Sequence, residues 1–272
     1  MLSRRYFVKT SSVFSLFWLL GAFGEGSQAV EVLETLNQTS LDSLTLQLDW
    51  KYNVQFAGVL LADYYQLYQK EGLNLNIQPW DFGVDVIEIV AENPTILGCA
   101  EQDVILAAQA AGKPIKAVAT MFQTSPLGLM SMPDNNIASL QDLVGKKVGV
   151  HADTQKVMDL VMGYSKLPPD DIEVVDISYD EKYDKLLTGE VDAVQCYLVD
   201  EPIGFAYETG IEPTVIRLSD YGYDAYVQTI FAHNSLLETQ REQLQGFLKA
   251  TFQGWKLALE NIPKAAKIVV EN

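Results

Sequence analysis

The sequence predicts an α/β protein of two lobes, each a mostly parallel sheet flanked by helices. Strand-like and amphipathic helical segments alternate along most of the chain, and this alternation restarts as a second series near residue 140. With 272 residues, 48% of them hydrophobic, the chain can bury two moderate cores.

The first segment reads as an address. SRRYFVK, Ser3 to Lys9, sets two arginines and a lysine before the apolar run Val13 to Phe23, and Ser27-Gln28-Ala29 supplies small residues for cleavage. Residues 1–29 therefore read as a signal peptide, since the run falls short of the roughly 20 apolar residues that a spanning helix needs. The Ser-Arg-Arg-x-Phe-x-Lys pattern resembles the twin-arginine export signal, which implies a periplasmic protein.

A polar linker, 30–41, leads into SLTLQLD (43–49), whose alternation predicts a strand. A helix is expected from about Gln55 to Glu71, where Gly72 stops it. LNLNIQ (73–78) and TILGCA (95–100) are strands; DVILAAQAAG is a helix, and KPIKAVATMF a further strand. In the second series SLQDLVG is a short capped helix and KKVGV (146–150) a buried strand. Asp153-Thr154 start a helix reaching about Ser165. IEVVDI, DEKYDKLLTGE and VDAVQCYLV repeat strand, helix and strand, and a helix from Glu201 to Thr209 precedes the strand TVIRL. YVQTIFAH (226–233) adds one strand, and helix follows. The chain is thus expected to return to its first lobe, giving lobe 1 as 42–124 with 227–272 and lobe 2 as 125–226.

Charge narrows the function. Nineteen Lys+Arg against 36 Asp+Glu give −17, which repels phosphate backbones, so nucleic acid is not an expected partner. Cys99 and Cys196 lie in apolar strand-like stretches and read as core thiols. His151 and His233, the two histidines, are too separated for a triad or zinc site, and neither a G-x-S-x-G nor a P-loop pattern occurs. No catalytic residue, metal or cofactor is expected.

Four stretches, in order, carry a family likeness: LDWKYNVQFAG with YYQLYQKEGLNLNI; AAQAAGKPIKAVATMFQTSPLGLMS; SLQDLVGKKVGV; and GEVDAVQCYLVDEP. The chain resembles periplasmic substrate-binding proteins of the branch shared by thiamine-pyrimidine-synthase-like proteins and the sulfonate and nitrate binders. The resemblance covers roughly residues 43–260. It implies a type II periplasmic-binding fold, with two hinged lobes that close on a small molecule and deliver it to an ABC permease. A monomer is expected. A sensor that reports to a membrane receptor is an alternative use of the same fold. AAKIVVEN ends inside a helical pattern, where relatives usually continue.

Clefts of this kind form at the carboxyl ends of parallel strands, beside helix N-termini. Trp50, Tyr52, Asn53 and Gln55 stand at such an end, and flat rings with neutral amides suit a flat, hydrogen-bonding heterocycle. Asn53 is equally a helix cap. Glu101 follows TILGCA, where a helix dipole stabilises it with or without ligand. Gln123 ends the strand entering the hinge. Asp153 and Thr154 follow KKVGVHA. Gln195 and Tyr197 share one strand face, and Glu201 at its end is expected to accept from an exocyclic amine while Tyr197 stacks. Tyr221, Tyr223 and Tyr226 fit either the cleft or the return to lobe 1.

After cleavage the chain keeps Arg217 and Arg241, neither in the matched motifs, so no guanidinium clamp for an anion is evident. The expected ligand is an amine-bearing heterocycle such as a thiamine-related pyrimidine; a sulfonate- or nitrate-type anion is the alternative. An enzyme on the same scaffold is the third reading. The resemblance gives the pyrimidine synthases a histidine in the first motif, where this chain reads VQFAG.

Overall fold

The structure, a computed structural model, describes residues 41–272 apart from Asp153 and the side chain of Pro169. The expected signal peptide (1–29), the linker before residue 41 and the candidate Asp153 lie outside the described residues.

Among the described residues ten strands form two sheets of five. The first has the order β2 (Leu73–Gln78), β1 (Asp42–Gln47), β3 (Ile96–Ala100), β10 (Val227–His233), β4 (Ile115–Phe122). The second has β7 (Glu173–Asp176), β6 (Lys147–Val150), β8 (Ala193–Tyr197), β5 (Leu127–Ser131), β9 (Thr214–Arg217). Both sheets are mixed: β10 runs antiparallel to β3 and β4, and β5 antiparallel to β8 and β9. The reversed strand in each sheet is the one the chain enters on crossing from the other, through residues 123–126 and 218–226. The remaining neighbours, β1 with β2 and β3, and β6 with β7 and β8, are parallel and need helical crossovers.

Inward-facing aliphatics of β1 (Leu44, Leu46) join Leu48, Phe56, Tyr68 and Phe247 in the first core. A second core under β5 and β6 gathers Leu127, Leu129, Val148, Val150, Val157 and Val161. The long helix expected over 55–71 is instead a 3-10 turn, Val54–Phe56, then α1 (Ala57–Tyr64) and α2 (Leu67–Lys70). Gln66 between them sits at φ 55 in the left-handed region, a break that hydrophobic periodicity does not announce because apolar residues continue on both sides of it. Helix α1 packs against the 20-residue helix Arg241–Glu260 at very short range. A Cβ on Gly58 would stand 2.2 Å from the Trp255 ring, and one on Gly254 2.0 Å from the Gly58 carbonyl oxygen. Glycine at both positions is what lets these backbones touch.

Between strands lie α3 (Val86–Glu92), α4 (Gln102–Ala110), α5 (Gln155–Tyr164), α6 (Lys182–Leu187) and α7 (Glu201–Thr209). The chain ends in α8 (Asn234–Thr239), α9 (Arg241–Glu260) and α10 (Ile262–Glu271). Among the described residues no helix is long and apolar enough to cross a membrane.

Candidate functional site

The carboxyl ends of β1, β3, β6 and β8, with the loops after β2 and β7, surround one cavity of about 440 Å³ between the two sheets. Strand ends of both sheets and the first turns of α3 to α7 face it, the position where α/β folds hold ligands.

One wall is aromatic. The Trp50 and Trp80 rings stack at 5.4 Å and 20°, and Tyr179 of the opposite sheet tilts against both, at 5.0 and 5.2 Å. His151 lies 3.9 Å from Tyr179, and Phe82, 60% exposed, closes the rim beside Trp80 at 5.2 Å. The Lys182 ammonium sits 5.9 Å above the Trp50 ring.

The rest of the lining is rich in acid. Asp49, Asp85, Glu101, Asp103 and Glu201 line the cavity, with Lys182 and His151 as the basic side chains. Lys182 is already paired with Glu201, both side chains being largely buried. Burial, reinforced by the Lys182 charge, depresses His151 to about 3, so its imidazole is neutral. Asp49 is raised to about 6 by desolvation, because the surface it exposes is cavity wall rather than bulk solvent.

This elevated Asp49 makes a prediction. A carboxyl titrating near 6 when folded and near 4 when unfolded costs the folded state roughly 3 kcal/mol at neutral pH. The folded form holds its proton more tightly, so the penalty is absent below about pH 4, grows to pH 6 and is constant above. Asp49→Asn should therefore gain stability over the wild type as pH rises from 4 to 6. Thermal unfolding of both proteins across that range checks it; a constant difference between them would place Asp49 in an ordinary environment.

Six of the ten sequence candidates, Trp50, Gln55, Thr154, Gln195, Tyr197 and Glu201, line the cavity. Tyr52, Asn53 and Gln123 do not, and Asp153 is not described. The Tyr52 hydroxyl donates to the Ile77 carbonyl at 2.8 Å, which turns the ring onto the first core. Asn53 caps the turn after β1, its Oδ1 accepting from the Gln55 N–H at 2.9 Å, while its amide donates to Asp200 of the other sheet at 2.6 Å. Gln123 is exposed in the crossing segment.

Two cavity residues also differ from the roles expected of them. Glu201 accepts from Lys182 on one oxygen and from the Tyr197 N–H, 2.6 Å away, on the other, so it anchors the β8–α7 turn. The Tyr197 hydroxyl donates to the Glu101 carboxylate across the gap between sheets, and burial beside that carboxylate holds the phenol well above its ordinary range. Tyr197 therefore ties the two sheets rather than offering a free stacking face. Of the three later tyrosines, Tyr223 lines the cavity, Tyr226 is tied by backbone to Gln102, and the Tyr221 hydroxyl accepts from the Leu140 N–H within the second sheet's lobe.

Sequence reasoning passed over Asp49, Trp80, Tyr179, Lys182 and Gln228. Trp80 carried a usable signal, since it follows strand β2 as Trp50 follows β1. Lys182 carried none, because a lysine in DEKYDKLL reads as a solvated helix face. Cys99 and Cys196 are buried free thiols, and among the described residues no cluster of His, Cys, Asp or Glu could hold a metal.

A profile described as NMT1/THI5 like matches residues 53–266. The chain belongs to the NMT1/THI5-like family. Among its relatives is a 4-amino-5-hydroxymethyl-2-methylpyrimidine phosphate synthase of Legionella pneumophila, 27% identical over 84% of this chain and 73% of that one. The riboflavin-binding protein RibY of Chloroflexus aurantiacus is 23% identical over 84% and 66%. The formylaminopyrimidine-binding protein of Halalkalibacterium halodurans is 22% identical over 86% and 71%. The chain thus spans about two thirds to three quarters of the length of these relatives. Among solved structures, the periplasmic aliphatic sulphonate binding protein SsuA of Escherichia coli superposes with a TM-score of 0.70 at 18% identity, covering 85% of this chain and 79% of that one. That likeness shows the periplasmic-binding fold of two lobes. Members of this NMT1/THI5-like set include both small-molecule binders and synthases.

Proposed function

We propose that this protein is an exported solute-binding protein that closes on a flat, amine-bearing heterocycle and hands it to an ABC permease. The observation that carries the reading is the cavity itself: stacked rings on one wall, and five carboxylates facing one lysine that is already paired. Rings hold a flat guest by its faces, while carboxylates and amides hold its N–H edges. The same acid excess opposes a sulfonate or nitrate, for which a cleft lacking arginine offers no clamp. A volume of about 440 Å³ falls in the usual range for small-molecule sites and exceeds what a lone pyrimidine ring requires. Two relatives, one named as a riboflavin-binding and the other as a formylaminopyrimidine-binding protein, bracket the suitable guests. Export through the twin-arginine route, and the permease as recipient, rest on the N-terminal sequence pattern and on the fold.

A thermal-shift screen with riboflavin, formylaminopyrimidine, an alkanesulfonate and nitrate tests the reading. A guest at 100 times its dissociation constant stabilises by about 2.7 kcal/mol, a readable shift. Stabilisation by a heterocycle supports the proposal; stabilisation by the sulfonate or nitrate alone overturns it. The synthases among the relatives favour a second reading, conversion of a bound pyrimidine, and its sign would be consumption of the added heterocycle by the purified chain.

A further inference from the structure

The cavity-lining side chains of His151 and Gln228 each carry a buried atom with no hydrogen-bond partner, Nε2 and Oε1. His151 is 4% exposed and Gln228 1%, so bulk water does not satisfy either. Unpaired polar atoms at such depth are uncommon and costly, and their presence on opposite sides of one cavity calls for a partner.

The chemistry of each atom is fixed by its neighbours. The backbone N–H of His151 donates to Oε1 of Gln195 at 2.6 Å, which settles the orientation of that amide. Nε2 of Gln195 then faces Nδ1 of His151 at 3.1 Å and can only donate to it. A neutral imidazole accepting at Nδ1 carries its hydrogen at Nε2. His151 therefore offers the cavity an N–H donor, and Gln195, which the sequence suggested as a contact, is a positioning residue.

Gln228 is held as firmly from the other sheet. Its amide nitrogen donates to Gln55 Oε1 at 3.2 Å and toward Asp49 Oδ1 at 3.4 Å, leaving Oε1 as a pure acceptor. Its backbone sits at φ 52, a left-handed conformation that costs a non-glycine residue free energy and that the fold tolerates at the start of β10.

We infer that His151 and Gln228 are a matched pair of ligand-binding groups, a fixed Nε2–H donor in one lobe and a fixed amide acceptor in the other. The guest they select is a heterocycle that presents a carbonyl oxygen or bare ring nitrogen to His151 and an N–H to Gln228. This rests on the binding function proposed above and adds to it which edge of the guest each lobe reads. Because one group stands in each lobe, a guest with both features bridges the gap and favours the closed form, whereas an analogue lacking either leaves a buried atom unpaired.

The test uses the full mature chain labelled with nitrogen-15, whose two histidines give a simple long-range proton–nitrogen spectrum; His151→Gln identifies the His151 signals by their loss. At pH 7 without ligand, His151 is expected to show a bare Nδ1 and a protonated Nε2. A protonated Nδ1 overturns the inference before any ligand is added. Riboflavin and formylaminopyrimidine are then titrated separately. The expected result is that a binding probe moves the His151 Nε2 resonance, and that His151→Phe and Gln228→Leu each weaken it about 10- to 100-fold. His151→Gln, which keeps an N–H donor, should recover part of that loss. If a probe binds the wild type and His151→Phe equally, with Nε2 unmoved, the pairing is wrong and the binding function stands. If neither probe binds the wild type, the result counts against pairing and binding function together.

Discussion

Trp50→Ala is expected to weaken binding of riboflavin or formylaminopyrimidine by about 10- to 100-fold while the protein stays folded. Stacking on an aromatic wall is worth roughly 1–3 kcal/mol per ring by alanine substitution, and each 1.4 kcal/mol is tenfold in affinity. Trp50 meets both the Trp80 and Tyr179 rings, so its loss also frees its two neighbours and the effect should fall in the upper part of that range. Trp50 is only partly buried against the first core, so the unfolding midpoint should drop modestly. Trp50→Phe keeps a flat face and should retain most of the affinity. Titration by quenching of intrinsic fluorescence, with calorimetry as a control because the variant removes a fluorophore, measures both. Equal affinities for wild type and Trp50→Ala would move the guest away from this wall.

Lys182→Met should be the most destabilising single change at the site. Lys182 and Glu201 side chains are 6% and 17% exposed, and removing one partner of a buried pair leaves an uncompensated charge, typically worth about 3 kcal/mol or more. In a domain of this size that lowers the midpoint by roughly 6–12 °C. The double variant Lys182→Met, Glu201→Gln should recover much of the loss, since a glutamine can still accept from the Tyr197 N–H through its amide oxygen. A double-mutant cycle by thermal and chemical unfolding reads the coupling directly. Additive effects would mean that the two groups do not act as a pair.

These two residues show what the sequence could and could not tell. Trp50 was readable because it ends a strand with clear period-two alternation, and strand ends in α/β folds line clefts whatever the loop does next. The same rule reaches Gln55, Thr154, Gln195, Tyr197 and Glu201, all within a few residues of a strand terminus. It says where a residue stands but not what its polar atoms do. Asn53 and Tyr52 are bound by neighbours that only the folded chain brings near, the Asp200 carboxylate and the Ile77 carbonyl. Lys182 and Glu201 are nineteen residues apart, and no local pattern couples them. Tyr179 depends on a loop whose path has no periodicity. The mixed sheets were hidden for a related reason: strand direction follows from where the chain crosses between lobes, and an alternating strand reads alike in either direction.

Native mass spectrometry of the purified protein, incubated with an equimolar mixture of riboflavin, formylaminopyrimidine, an alkanesulfonate and nitrate, tests the central claim most directly. A one-to-one complex with a heterocycle, released on activation at unchanged mass, is the predicted result. A complex with the sulfonate in preference to either heterocycle, or release of a heterocycle of altered mass, would contradict it.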